Sequence, residues 1–388
     1  MPHLFLVAGE ASGDALGARL IRALAAETGD RLRLDGVGGP RMRDAGLTPL
    51  FPADDIALMG FAEVVPGIPR VLRRLRTVET TVRRLRPDAV ITIDAPGFNF
   101  RLGARLRGTG IPLIHYVAPT VWAWKPGRAR KVARFLDRML TLFPFEPPYF
   151  EQEGLPATFV GHPVTEAPLP TPSEDLHRKR GIDADAQVLL VLPGSRAGEV
   201  QRLAPLFAAC ARILLQRREA LQIVIGVAPG RSRQIEEAFA GLSVVLVASE
   251  SEKQEWYAAA DVALVASGSV TLELARLRTA MVVAYRMTPL SWEIVRRMVT
   301  IDYACLINVM RGVEVIPEFL QQACRPDRLA EAVDLLLHDP ERRASQVAIT
   351  SAVIGELRSG DLPPSRRAAR TILATLASLR DPLKESER

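Results

Sequence analysis

Apolar runs rich in β-branched residues recur along this chain, and most of them stop abruptly at Gly, Ser, Pro or a carboxylate. In the first half they are Leu4–Ala8, Leu32–Val37, Ala89–Ile93, Pro112–Val117, Met139–Phe143 and Ala157–Val160, with segments of helical spacing between them. Short apolar runs alternating with helices predict the strands of a parallel, doubly wound sheet. A second series, Gln187–Leu192, Leu221–Val227, Val244–Val247, Val262–Ala266 and Ala280–Ala284, predicts a second sheet of the same kind. The segment between them holds Pro163, Pro168, Pro170 and Pro172 and reads as a linker. After Pro317 the pattern is mostly helical, and a last helix over Ser365–Leu379 carries Ala369, Ile372, Leu373, Leu376 and Leu379 on one stripe. The tail beyond Asp381 is charged and is expected to fray. The expected fold is therefore α/β, two Rossmann-like domains with parallel sheets facing across a cleft, the first over 1–165 and the second over 173–345.

Open α/β folds bind ligands at the carboxyl edge of the sheet. That is where this chain collects its polar, Gly and Pro residues. Leu189–Val200 passes from a buried strand through Gly194 and Ser195 into a helix, so backbone N–H groups and the positive end of a helix dipole converge beside Arg196. The stretch reads as an anion site, the alternative being an ordinary turn with a solvated arginine. In Ala266–Glu273 a strand again ends in small residues, Ser267, Gly268 and Ser269, with Glu273 placed to accept hydrogen bonds from a ribose diol. A Glu that merely favours a helix N-terminus is the rival there. Asp94 ends Ala89–Ile93 and is followed by Pro96, Gly97 and Phe98, which restrict its solvation and suit a general base, against the alternative of a capping Asp. Trp122, Trp124 and His162 read as packing or structural residues.

Composition narrows the classes. The chain has 388 residues, 48% hydrophobic and 24% charged, which is an ordinary globular balance long enough for two domains. Three cysteines, far apart and in no Cys-x-x-Cys pattern, argue against a disulfide framework or a structural zinc site. The first apolar run is cut by Gly9 and Glu10 and lacks a basic n-region, so it is a first strand and not a signal peptide. No run approaches the length of a membrane span. The net charge of +6 admits phosphorylated substrates, anionic lipid or nucleic acid. Asp183 and Asp185 precede their strand and read as a solvated turn. No Walker lysine or Gly-x-Ser-x-Gly elbow is present.

Ile56, Leu58, Met59, Phe61, Val64, Val65 and Ile68 form what reads as an unusually apolar loop. The helix after it has Val71, Leu75, Val78, Val82 and Leu85 on one stripe and arginines at 70, 73, 74, 76, 83, 84 and 86. Such a pattern is core plus solvated face, or else a surface lying on anionic membrane.

The pieces Val7–Asp14, Ile93–Asn99, His115–Trp124, Gly161–Pro163, Leu192–Arg196, Ala266–Glu273 and Pro317–Gln321 run in order over nearly the whole chain. On these motifs the chain closely resembles the bacterial lipid-A-disaccharide synthases, glycosyltransferases of the GT-B fold. It departs at Ser269-Val270, where many members carry Gly-Thr before x-x-Leu-Glu. The resemblance implies transfer of diacylglucosamine from UDP-2,3-diacylglucosamine to the 6-hydroxyl of 2,3-diacylglucosamine 1-phosphate, with inversion and release of UDP, and with neither metal nor cofactor. It implies Asp94 as the catalytic aspartate, with Glu10 and Asp14 as competitors for the role of base. Donor binding is expected at Gly194, Ser195, Arg196, Ser267, Gly268, Ser269, Glu273, Asn308 and Gln321, and acceptor binding at Glu10, Ser12, Gly13, Asp14 and Asn99. Met59, Phe61, Val64, Val65 and Ile68 are the expected acyl or membrane contacts. The helices of 346–388 are expected to return to the first domain. The expected setting is the cytoplasm, peripheral on the cytoplasmic face of the inner membrane, with an anionic lipid surface as partner and a homodimer open. A UDP-sugar epimerase, indifferent to acylation, and an RNA-binding protein using Arg70–Arg86 and Lys125–Arg134 are the alternatives. The second lacks a recognition motif and interleaved aromatics.

Overall fold

A computed structural model describes residues 1–56, 61–173, 175–183 and 185–380, the side chains of 54, 61–68 and 380 excepted. The chain divides into two compact units. The first comprises Met1–Glu166 together with the segment returning from Leu357, and the second is Ala167–Glu356.

The first unit runs β1 (His3–Ala8), α1 (Ala11–Thr28), β2 (Arg33–Val37), α2 (Pro40–Asp44), β3 (Thr48–Pro49), α3 (Phe61–Leu85), β4 (Ala89–Ile93), α4 (Pro96–Leu106), β5 (Leu113–Tyr116), α5 (Arg128–Ala133), β6 (Arg138–Thr141), α6 (Pro147–Glu151) and β7 (Ala157–Phe159). Its sheet has the order β3-β2-β1-β4-β5-β6-β7, every pair parallel. The second unit runs β8 (Val188–Leu192), α7 (Ala197–Arg217), β9 (Gln222–Gly226), α8 (Ser232–Ala238), β10 (Val245–Val247), α9 (Glu250–Ala259), β11 (Val262–Ala266), α10 (Val270–Arg276), β12 (Ala280–Tyr285), α11 (Pro289–Met298), α12 (Leu306–Arg311), β13 (Glu318–Leu320), α13 (Pro326–His338) and α14 (Pro340–Glu356). Its parallel order is β10-β9-β8-β11-β12-β13. In each sheet the winding starts at an inner strand, proceeds to one edge, and then crosses back to the other side. The reversal lies between β1 and β4 in the first unit and between β8 and β11 in the second. Loops leaving the two strands of a reversal diverge to opposite faces and leave a crevice at the carboxyl edge.

The central strands are apolar because both faces are covered. Leu4, Phe5, Leu6 and Val7 of β1 and all of β4 are buried, as are Val188–Leu192 and Val262–Ala266. α15 (Pro364–Arg380) completes the first core by laying Ala368, Ala369, Ile372 and Leu376 against Leu20, Ile21 and Leu24 of α1. Glu27 pairs with Arg366 and with Arg370 along the same seam, and the Ser365 N–H donates to Glu166 Oε2 at 3.1 Å. Leu379, expected on the buried stripe, is 49% exposed. α14 packs on α10 and β12 within the second unit, so the return begins at Leu357 and not at 346.

Three features depart from the sequence reading. The strand β3 is two residues long and contains a proline, too little to register as an apolar run. β13 forms where the pattern after Pro317 reads as mostly helical, pairing with β12 from Glu318 to Leu320. The supposed apolar loop is in part the start of α3, which is helical from Phe61 although Pro66 and Pro69 fall within it. Ile56 is buried in the core with Phe51 and Val71, so it is no lipid contact. Met59 lies outside the described residues, as do the side chains of Phe61, Val64, Val65 and Ile68. The α3 stripe, Val71, Leu75, Val78 and Val82, is core. Among the described residues no helix is long and apolar enough to cross a membrane.

Because α15 supplies buried aliphatic surface to the first unit, Ile372→Ala should cost that unit roughly 2–4 kcal/mol. Hydrogen exchange of the β1 and β4 amides in the variant would register the loss. Unchanged protection there would mean that α15 is not part of the core.

Candidate active site

In the first unit the loops after β1 and β4 meet across the reversal. The first turn of α1 lies close to both strand ends, since a Cβ on Gly13 would stand 3.4 Å from Ala8 Cβ and 3.6 Å from the Ile93 carbonyl. Ser12 Oγ donates to Asp94 Oδ2 at 3.4 Å, and exposed Glu10 occupies the N-cap position of α1 without a side-chain capping bond. Asp94 and the next residue, Ala95, both take left-handed backbone conformations, φ 49° and 45°. Two consecutive non-glycine residues there cost about 1–3 kcal/mol each and persist only where the surroundings over-determine them. The surroundings do so. The Asp94 N–H donates to the Tyr116 carbonyl at 2.9 Å, and buried Asn99 donates through Nδ2 to the carbonyls of Ile93 at 3.2 Å and Asp94 at 2.7 Å. Pro96 then opens α4 with its φ already fixed. The result is a half-buried carboxylate held at the lip of the crevice by a stiff turn. Asn99 is thus a positioning residue behind Asp94.

Asp14 has a different task. Its Oδ1 accepts from the Met42 N–H at 2.9 Å and its Oδ2 from the Arg41 N–H at 3.0 Å, capping α2 from outside that helix. Gly39 makes room for it, since a Cβ there would stand 2.6 Å from Asp14 Oδ2. Both oxygens are engaged in this cap, so any other role for Asp14 competes with the two backbone N–H groups of α2.

The remaining carboxyl-edge loops of this unit form an aromatic clamp. Trp122 meets Phe145 edge-on at 5.3 Å and donates to Glu146 Oε1 at 3.2 Å. Glu146 Oε2 in turn accepts the N–H groups of Leu142 and Phe143, each at 3.0 Å. Burial pushes the Glu146 carboxyl up to about 7, against the three hydrogen bonds that favour its charge. His115 is buried and hydrogen-bonded to Thr92 at 2.7 Å, and burial holds it down at about 3. His162 accepts the Val164 N–H at 3.1 Å, with burial holding it at about 4. Burial favours the neutral form of both rings, and His162 is the structural residue that its sequence setting suggests.

In the second unit the loops after β8 and β11 enclose a cavity of 350 Å³. Gly194, Ser195, Arg196, Ser267, Gly268, Ser269 and Glu273 all line it, so seven of the residues singled out in the sequence share one space. Gly194 has φ 113°, and a Cβ on it would stand 2.9 Å from the Cβ of Glu199, so only glycine makes this turn. Beyond it begins α7, 21 residues long, whose first turn carries Glu199. That carboxylate accepts the Arg196 N–H at 3.3 Å and pairs with the Arg196 guanidinium at 3.1 Å. The guanidinium itself is 79% exposed and free to reorient. Glu273 accepts from Gln254 Nε2 at 3.0 Å, and burial raises its carboxyl above the usual range. Opposite the strand-end loops α9 contributes Lys253, nearly buried and paired with Glu250 at 2.6 Å, and Tyr257. The sequence reading did not single out Lys253, Tyr257 or Glu199. The first two lie in mid-helix, four residues apart, where no strand end marks them.

Two expected donor residues are elsewhere. Asn308 is fully buried with all four of its bonds made inside the protein. Its Oδ1 accepts the N–H groups of Val315 and Ile316 at 3.0 and 2.9 Å, and its Nδ2 donates to the Ile316 carbonyl at 2.8 Å and to Glu318 Oε2 at 3.2 Å. It fastens the loop that leads into β13 and does not line the cavity. Gln321 follows β13 in a left-handed conformation, φ 50°, with a buried Nε2 that has no partner among the described residues. It also lies outside the cavity lining. Among the described residues no cluster of His, Cys, Asp and Glu has the makings of a metal site.

Comparison with known proteins bears on the family and the fold. The lipid-A-disaccharide synthetase family profile matches residues 4–371. The lipid-A-disaccharide synthase of Rhodospirillum centenum is 50% identical over 375 residues, covering 95% of this chain and 94% of that protein. Among solved structures, the UDP-GlcNAc 2-epimerase of Neisseria meningitidis bound to UDP-GlcNAc superposes with a TM-score of 0.64 at 11% identity, covering 97% of this chain and 100% of the other. The glycotransferase of kitacinnamycin superposes with a TM-score of 0.62 at 18% identity, covering 96% and 99%.

The buried Glu146 makes a pH prediction. Between its ordinary value of 4.5 and about 7 the folded chain holds a proton that the unfolded chain has released. Stability therefore falls as pH rises across that window, by on the order of 3 kcal/mol. Denaturation of the wild type and Glu146→Gln at pH 4.5 and 7.5 should show a shallower decline in the variant, and parallel declines would refute the assignment.

Proposed function

Since this chain belongs to the lipid-A-disaccharide synthase family, and is a glycosyltransferase of the GT-B class acting in lipid A biosynthesis, we propose that its two crevices hold the two reactants. The donor, UDP-2,3-diacylglucosamine, binds the second unit. Its diphosphate faces the N-terminus of α7, with Arg196 turning from Glu199 to the phosphates and Lys253 adding a second cation. Its ribose hydroxyls donate to Glu273. The acceptor, 2,3-diacylglucosamine 1-phosphate, binds the first unit with its 6-hydroxyl toward Asp94.

The reaction is then a direct displacement. The acceptor O6 attacks the anomeric carbon of the donor as Asp94 removes its proton, the bond from that carbon to the UDP oxygen breaks, and the anomeric configuration inverts. The charge growing on UDP is taken up by donors already in place at α7, Arg196 and Lys253. Ser12 and Asn99 orient Asp94, one through a hydroxyl on its carboxylate and the other through the backbone turn. Of the competing carboxylates, Asp14 is engaged in capping α2, which leaves Glu10 as the alternative base. The observation that carries this reading is that each sheet places its chemistry at its own strand-order reversal, a carboxylate on a strained turn in one and an anion-binding turn in the other. Lipid substrates call for contact with a membrane, for which the exposed Leu72 between Arg70 and Arg73 on α3 is the described candidate.

Loss of a positioned base costs about 10²–10⁴ in rate. Asp94→Asn should lose turnover by that factor on both lipid substrates while its affinity for UDP, measured by calorimetry, stays within about threefold of wild type. Near-normal turnover would transfer the role to Glu10. Arg196→Ala and Glu273→Ala should each weaken UDP binding by roughly tenfold, the worth of a charge-assisted hydrogen bond, and unchanged affinity in both would remove the second-unit cavity from the donor site.

A further inference from the structure

The reaction as described leaves one feature of the first unit unused, a basic groove between α4 and α5. Its cavity measures 620 Å³, far more than a phosphate needs and in the range of sites for whole small ligands. The floor is apolar. Phe100 and Phe135 lie with ring centres 6.2 Å apart over buried Val132, and Phe135 sits so close on α4 that a Cβ on Gly103 would stand 2.6 Å from its ring.

The rim is cationic, made by Arg101, Arg107, Arg128, Lys131 and Arg134, with no carboxylate in the lining. Neighbouring carboxylates are already taken, Glu79 by Arg83 and Arg105, and Glu153 by Arg130. Five like charges around one concavity repel one another within a Debye length, and a concave wall of one sign concentrates anions. Two of the cations are held in place. The Arg101 guanidinium donates to the Gly97 carbonyl at 2.5 Å, and Arg128 stands over the Trp124 ring at 5.4 Å.

The groove has a direction. One end of it is Pro96 and Gly97, the residues that follow the Asp94-Ala95 turn, and Arg101 is tethered at that end. An anionic lipid in this groove would therefore bring its head next to the proposed base. A flat membrane surface calls for protruding apolar side chains, whereas here Phe100 and Phe135 line a concavity.

We propose that this groove is the subsite for the phosphomonoester of the acceptor glycolipid, with Arg101, Arg128 and Lys131 on the phosphate and an acyl chain along the Phe100–Phe135 floor. The inference rests on the reading of Asp94 as the acceptor-side base. It makes the groove the element that selects a phosphorylated acceptor, because planar guanidinium groups match a phosphate's oxygens in pairs.

The test compares 2,3-diacylglucosamine 1-phosphate with 2,3-diacylglucosamine lacking the phosphate, both with the UDP donor, in the wild type and in the triple variant Arg101→Gln, Arg128→Gln, Lys131→Gln. The three positions are at the surface, and UDP affinity and thermal midpoint serve as folding controls. The wild type should prefer the phosphorylated acceptor in kcat/KM by about 10²-fold, the scale of two or three charge-assisted hydrogen bonds. The variant should show less than about threefold preference, through a higher KM for the phosphorylated acceptor alone. A preference that survives in the variant overturns the proposal. An equal loss on both acceptors, accompanied by release from phosphatidylglycerol vesicles, also overturns it and makes the groove a membrane contact. A wild type that forms no disaccharide from either acceptor sinks the functional reading itself, and this inference with it.

Discussion

A parallel sheet that begins at an inner strand and winds first to one edge and then to the other cannot close its carboxyl edge at the point of reversal. Successive crossovers have the same hand, so the loops from the two strands flanking that point run to opposite faces and leave a gap. Both units of this chain are built on that constraint, at β1 and β4 and at β8 and β11. Everything chemically distinctive in them follows from it. Asp94 leaves β4, Ser12 lies just beyond β1, Arg196 beyond β8, and Ser267 to Glu273 beyond β11.

The two units fill their gaps in different ways. The second uses glycine, so that backbone amides at Gly194 to Arg196 approach a ligand without steric cost. The first forces two residues with side chains into left-handed conformations at Asp94 and Ala95, and holds them there through Asn99 and the Tyr116 carbonyl. A turn made of glycine would be easier to form but would leave the carboxylate on a pliant backbone. The strained turn trades a little folding free energy for a carboxylate of fixed direction, a property that a base needs and an anion cradle does not.

Much of this was legible in the sequence because the signal is local. An apolar run ending in Gly-Ser-Arg or in Asp-Ala-Pro-Gly announces both the strand and the loop, and the central strands were placed to within a residue or so. What escaped depends on tertiary partners. β3 and β13 are short and exist because a neighbouring strand offers a ladder. Lys253 and Tyr257 enter the second unit's cavity from a helix whose sequence looks like any solvated one. Asn308 and Asp14, by contrast, were conspicuous in motifs, yet their side chains are spent on backbone N–H groups of the protein itself. A polar residue in a motif marks an environment that demands it, and the demand can come from a helix end as readily as from a substrate.

The return of the chain through α15 has a consequence for biogenesis. The surface of α1 formed by Leu20, Ile21 and Leu24 is covered by residues translated after the second unit, whereas Ala167–Glu356 is contiguous and contains its own core. During synthesis the second unit can therefore mature while the first, although it emerges earlier from the ribosome, still shows an apolar stripe to solvent. Folding order is then the reverse of the usual amino-to-carboxyl succession. A nascent chain of this kind leaves that stripe uncovered until Leu357–Arg380 has been translated, a few seconds at roughly 5–20 residues per second.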